Sequence, residues 1–231
     1  VLLRSAIAIA ILLAVAPRFG GYDSLRTRRI GWHVFRSIMA VGAMFGFFYG
    51  VAHMPLVNAL TLGYTAPLMV TALAALFLGD EIGWRRWTSV IVGFLGVLVM
   101  LQPGSGELSF AAIAVLVAAF CYACQAITAR KLGDTESTLS LSFYVVVAPM
   151  IVAILFANSS DWLAPDMTGW MLIVGAAVCS IGAWVGLVNG YRAVSPAAVA
   201  PLEYVALVGG AIAGYLIWDE IPDTRVMLGA F

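Results

Sequence analysis

Apolar positions along this chain come in long runs separated by short polar connections. Each run is long enough for a helix to cross most or all of about 30 Å of hydrocarbon. Lipid offers backbone groups no hydrogen-bond partners, so such runs must be helices. Eight segments follow: 1–16, 34–53, 56–78, 86–101, 110–128, 138–157, 168–190 and 197–218. The first also carries Ala14-Val15-Ala16, the small-residue pattern of a signal-peptidase site. The other seven do not depend on it. The chain starts inside one apolar run and stops as another begins, so the expectation is a fragment of a longer protein.

Charge orients these segments. Arg18, Arg26, Arg28, Arg29 and Arg36 surround the first connection, Arg85 and Arg86 the third, Arg130 and Lys131 the fifth, and Arg192 the seventh. Together they account for ten of the twelve basic residues. Alternate connections lie on one side of a membrane, and the positive-inside rule makes that side cytoplasmic. The opposite connections hold Glu107, Asp161, Asp166, Asp219, Glu220 and Asp223. Trp32, Trp84, Trp87, Trp162, Trp170 and Trp218 fall near segment ends, where an indole sits between lipid and water.

A repeat of about 140 residues runs through the same segments. Gly42, Gly46 and Gly50 precede Pro55, and Gly182, Gly186 and Gly190 precede Pro196. The stretch from Pro55 to Glu81 and the stretch from Pro196 to Glu220 each contain a second proline and close on Asp-Glu. The glycine ladders lie five crossings apart, and an odd number reverses direction, so the halves are inverted. Extending the pairing gives a complete protein of ten spans, five plus five, with repeats at 1–103 and 110–231. Inverted repeats are a recurring plan of secondary transporters, in which similar halves exchange inward-open and outward-open forms.

The composition agrees: 63% of residues are hydrophobic and 10% charged, against roughly a quarter charged in soluble domains. Mean hydropathy is +1.01. Net charge is zero, which excludes a general basic footprint for nucleic acid. Cys121-x-x-Cys124 has metal or redox spacing, but no second pair or histidine accompanies it, and packing is the reading of all three cysteines. No metal or cofactor is expected.

Candidate chemistry lies in polar groups inside the apolar segments. Glu203 is the most informative, because a carboxylate within a span costs on the order of 3 kcal/mol and must be compensated. It could bind a proton, a cation or a substrate amine. Tyr49, Asn58, Tyr64, Gln125, Trp184, Asn189 and Tyr204 are polar or aromatic groups of the kind that line a substrate pocket. Arg4 could snorkel outward or pair with a substrate anion. Pro67 and Pro201 each remove a backbone donor and free a carbonyl a turn earlier, tolerated only where buried or facing a wet cavity. The glycine ladders permit close helix approach. The two Asp-Glu pairs fall on opposite faces and read as hinge or interface markers. His33 and His53 lie near segment ends without ligand partners, and Asn158-Ser159-Ser160 is a glycosylation sequon.

Several of these stretches resemble the EamA branch of the drug/metabolite transporter superfamily. They are Ala52-x-x-x-Pro55-x-x-x-Ala59, Ala66-Pro67-Leu68 and Leu78-Gly79-Asp80-Glu81 with Trp84-Arg85-Arg86-Trp87 in the first half. In the second half they are Ser195-Pro196-Ala197-Ala198 and Pro201-Leu202-Glu203-Tyr204 through Trp218-Asp219-Glu220. The resemblance implies an all-α integral membrane protein with a ten-helix inverted-repeat fold and cytoplasmic termini. Here about eight spans are complete, the first helix and most of the tenth being absent. It also implies movement of amino acids, metabolites, vitamins or drugs across the bacterial inner membrane. Asp80 and Asp219 stand where the family often has a small residue.

The expected function is alternating-access transport of a small solute around a pocket between the halves. Its partners are that solute and the bilayer, with a coupling proton or ion and a homodimer both compatible. A passive channel is the alternative. A membrane-embedded enzyme is another, but HExxH, GxSxG and clustered catalytic pairs are all missing from the sequence.

Overall fold

A computed structural model describes residues 2–18, 21–79, 83–101, 109–157 and 165–205 and positions 209, 212 and 215. All regular elements among them are helices. In order they are α1 (Leu2–Val15), short 3₁₀ turns at Ala16–Arg18 and Tyr22–Leu25, α2 (Ile30–His53), α3 (Leu56–Gly63) and α4 (Ala66–Leu78). Then come α5 (Trp84–Leu101), α6 (Phe110–Leu132), α7 (Thr138–Leu155), α8 (Met167–Ala193), the single turn α9 (Pro196–Val199) and a 3₁₀ stretch at Ala200–Tyr204. Among the described residues, five spans, Ile30–His53, Asn58–Leu78, Phe110–Leu132, Thr138–Leu155 and Met167–Ala193, are long and apolar enough to cross a membrane. This is a multi-pass membrane protein. The sequon, both Asp-Glu pairs, Trp162 and Trp218 lie outside the described residues.

Helix bounds follow local chemistry. Ser137 caps α7: its Oγ accepts the Ser140 N–H at 2.9 Å and donates to the Ser24 carbonyl at 2.6 Å. Gly79 ends α4 with φ of 69°, a left-handed conformation that favours glycine, while its N–H closes on the Ala74 carbonyl. Leu76 and Phe77 are each 71% exposed, as are Met171 and Leu172 at 69%. Water would penalise such surfaces; acyl chains match them.

The chain forms two compact units, each drawn from both halves of the sequence. Unit 1 comprises Val1–Val41 and Thr128–Ala193, and unit 2 comprises Gly42–Ile127 and Val194–Phe231. In unit 1, α1 packs on α7 and α8, and α7 packs on α8. Leu12, Ala16 and Leu139 form one core cluster there, and Leu132, Leu141 and Val188 another. Thr27 Oγ1 donates to Glu136 Oε1 at 2.7 Å, and Arg130 Nη1 donates to the Tyr191 and Arg192 carbonyls at 3.1 and 2.8 Å. The first, fifth and seventh connections therefore meet at one end, as their shared basic character requires.

In unit 2, the latter part of α2 lies on α6 through its glycines. A methyl group on Gly46 would stand 2.8 Å from the Ala114 carbonyl oxygen, and one on Gly42 3.0 Å from Cys121 Sγ. Gly50 abuts Val115 in the same way. The first ladder is a helix-packing surface. The second differs, since nothing described lies within 4 Å of a methyl group built on Gly182 or Gly186. Ala59, Leu62, Ala112 and Val115 complete the unit 2 core.

A candidate substrate site in unit 2

The span expected over 56–78 is broken. Pro67 cannot donate to the Gly63 carbonyl four residues earlier, so the helix stops at Gly63 and restarts at Ala66. Thr65 closes the gap, directing its backbone N–H and its hydroxyl to the Leu62 carbonyl at 3.1 and 2.8 Å. Thr71 then donates its hydroxyl to the Pro67 carbonyl at 2.9 Å. Around Pro201 the second half does something similar: after one α turn the backbone tightens into the 3₁₀ stretch Ala200–Tyr204. α4 packs against both α9 and that stretch, so the two irregular regions share one unit.

Glu203 sits in this 3₁₀ stretch, half-buried, and its Oε2 accepts the Tyr122 hydroxyl of α6 at 3.0 Å. A hydrogen bond to a carboxylate contributes about 1.5–3 kcal/mol, comparable with the cost of placing Glu203 in a span. Tyr64 lies at the α3–α4 break in the same unit. Gln125 follows Tyr122 by three residues and hence occupies the same side of α6. It is 1% exposed, and its Oε1 has no hydrogen-bond partner among the described residues. A carboxylate, two phenols and an open amide carbonyl suit a solute rich in hydrogen-bond donors or bearing positive charge.

The other sequence candidates divide between the units. Asn58 is half-buried on α3, and Tyr204 shares the 3₁₀ stretch with Glu203. Tyr49 stacks on His53 at 4.1 Å and meets Phe110 edge-on at 5.5 Å, near the end of α2. These belong to unit 2 with Tyr64, Gln125 and Glu203. Arg4, Trp184 and Asn189 belong to unit 1. Arg4 Nη1 donates to Ser180 Oγ at 2.9 Å, one turn before the half-buried Trp184. Asn189 is exposed, and its Oδ1 accepts the Thr138 hydroxyl at 2.9 Å beside Arg192.

Sequence reasoning missed Tyr122, which lies between Cys121 and Cys124 in an apolar stretch. Its three-residue spacing from Gln125 was the available signal. It also left His33 without a partner, whereas Glu136, distant in sequence, stands 3.4 Å from it.

Comparison with known proteins agrees with this architecture. A sequence profile of the EamA-like transporter family matches residues 1–102 and again 109–231. The chain belongs to the EamA-like transporter family. Among its relatives is the riboflavin transporter of Vibrio cholerae serotype O1, 29% identical over 99% of this chain and 77% of that protein. The S-adenosylmethionine uptake transporter of Rickettsia felis is 31% identical over 96% of this chain and 75% of its own length. The pseudopaline exporter CntI of Pseudomonas aeruginosa (strain UCBPP-PA14) is 29% identical over 99% and 80%. One crystal structure shares the fold with a TM-score of 0.73 at 19% identity, covering 98% of this chain and 80% of that one. This EamA-like protein is a transporter of small metabolites.

Proposed function

We propose that this transporter works by alternating access between two inverted five-helix repeats, 1–103 and 110–231 within a ten-helix protein. Its substrate site is built around Glu203 and Tyr122. Eight of the ten spans would fall within this chain, and the bacterial inner membrane is the expected location. The observation that carries the reading is the 3.0 Å bond from Tyr122 to a carboxylate on an irregular, proline-containing turn. A span interrupted beside an acidic group is a plan that transporters use to bind polar solutes at mid-depth. Tyr64, Gln125, Tyr49 and Asn58 extend the polar surface of that unit, and Tyr204 follows Glu203 in the chain. Arg4, Trp184 and Asn189 are polar candidates within unit 1. Relatives named for uptake and for export both occur, so the direction follows from the gradient and the coupling rather than from the scaffold.

Counterflow in proteoliposomes tests the proposal, with riboflavin and S-adenosylmethionine as first probes. Uptake should saturate and be accelerated by the same compound inside, and Glu203→Gln should lower it at least tenfold. Flux that rises linearly with concentration and ignores internal solute would favour a channel. Saturable uptake that Glu203→Gln leaves unchanged would remove Glu203 from the site.

A further inference from the structure

Unit 1 contains a buried polar cluster that the substrate site does not use. His33 and Arg36 occupy one side of α2, three residues apart, and both are 0% exposed. Glu136 faces His33 from the α6–α7 connection, 8% exposed. Its Oε1 accepts the Thr27 hydroxyl at 2.7 Å and its Oε2 the Ser140 hydroxyl at 3.2 Å, while His33 Nε2 stands 3.4 Å from Oε2. The Tyr144 ring lies tilted against the imidazole at 4.4 Å, and Arg36 Nη1 donates to the Leu141 carbonyl at 3.1 Å. Among the described residues, neither ring nitrogen of His33 has a hydrogen-bond partner.

Burying ionisable groups together is costly unless their charges balance. The Arg36 guanidinium is always charged, and the Glu136 carboxylate supplies one opposite charge. His33 is then the member whose charge can change near neutral pH. Without a proton the group is neutral overall. With one, the imidazolium Nε2 stands 3.4 Å from the carboxylate oxygen and the group carries +1. Thr27 links this interior to the surface: half-buried, it accepts the N–H of exposed Arg29 at 2.9 Å and donates inward to Glu136. The other charged groups nearby are peripheral, with Lys131 of α6 lying over the exposed Trp32 ring at 4.4 Å and Arg28 exposed on the α1–α2 connection.

We propose that His33 and Glu136 form a proton-binding site in unit 1, filled from water past Thr27, which couples proton uptake to the transport cycle. The proton arrives from water and comes to rest on His33 Nε2, facing Glu136 Oε2, and needs no other reactant. The coupling rests on the transporter reading above; the proton site does not.

The full chain, ¹⁵N-labelled at histidine and placed in lipid nanodiscs, provides the test. It has two histidines, so His53→Gln assigns the spectrum. His33 should pass from neutral to protonated between about pH 8 and 5. Glu136→Gln should weaken its proton binding about tenfold, one pKa unit, and Glu136→Asp should restore most of it. In proteoliposomes, riboflavin or S-adenosylmethionine uptake should depend on pH in the wild type and lose that dependence in His33→Gln. A His33 signal constant across the range, a midpoint that Glu136→Gln leaves in place, or a wild-type pH profile in His33→Gln would each overturn the proposal. Wild-type protein that carries neither probe would count against those substrates, and the histidine titration would then decide the proton site alone.

Discussion

Gly46→Ala adds one methyl group where α2 meets α6, and the structure leaves no room for it. The new carbon would lie 2.8 Å from the Ala114 carbonyl oxygen and 3.1 Å from the Ala118 methyl. The nearer neighbour is backbone and cannot rotate away, so the helices must separate by a few tenths of an ångström, loosening Gly42 against Cys121 as well. Overpacking of this kind costs about 1–3 kcal/mol. Gly186→Ala is the same substitution at the repeat-equivalent position on α8, where nothing described lies within 4 Å. There the gain in helix propensity dominates, stabilising by about 1 kcal/mol. The two variants should differ by about 2–4 kcal/mol and in sign. With roughly 2–4 °C per kcal/mol for a chain of this size, the gap in Tm is about 4–16 °C. Tryptophan-fluorescence melting of both variants in the same detergent measures it. Equal shifts, or a Gly46→Ala variant as stable as wild type, would refute the argument that the first ladder is closed by contact.

Other consequences can be checked directly. Tyr122→Phe removes the 3.0 Å donor from Glu203 and should reduce counterflow about tenfold or more; in combination with Glu203→Gln it should add little further loss, because both changes break one interaction. Ser137→Ala deletes the cap of α7 and its tie to Ser24, and should destabilise by about 1 kcal/mol in the same melting assay. Cysteines introduced at Arg28 and Lys131 should react with a membrane-impermeant maleimide from the same side of the bilayer, and one at Asp166 from the other; a shared side for all three would contradict the assigned orientation.

The helices were readable in the sequence because lipid imposes one requirement on every span, and the described bounds depart from the apolar runs mainly by a turn. α2 begins at Ile30 rather than 34 and α6 continues to Leu132 rather than 128. At those ends the helices carry on through Trp32 and His33 to Ile30 and through Arg130 and Lys131 to Leu132, into the polar connections. Pro67 announced the interruption of its span, though the break itself is at Tyr64–Thr65, the turn that Pro67 leaves without a donor. Glu203 stood out because a carboxylate is rare in an apolar run. Its phenol partner did not, since a tyrosine among alanines and cysteines looks like packing. The His33–Glu136 pairing was invisible for another reason: 103 positions separate the two residues, and tertiary folding alone brings them together. The difference between the ladders was hidden too: spacing shows that a glycine ridge exists and not what covers it, and only the first is closed by contact among the described residues.

The interleaving of the two units sets a timetable for biosynthesis. α1 packs on α7 and α8, which leave the ribosome after a wait of some 120 residues or more. At roughly 5–20 residues per second, that interval is about 6–25 s. During it α1 lacks the α7 and α8 surfaces on which it packs. A ribosome stalled midway would leave neither unit complete, so quality control should recognise such products by their orphaned helices and degrade them rather than find half of a working carrier.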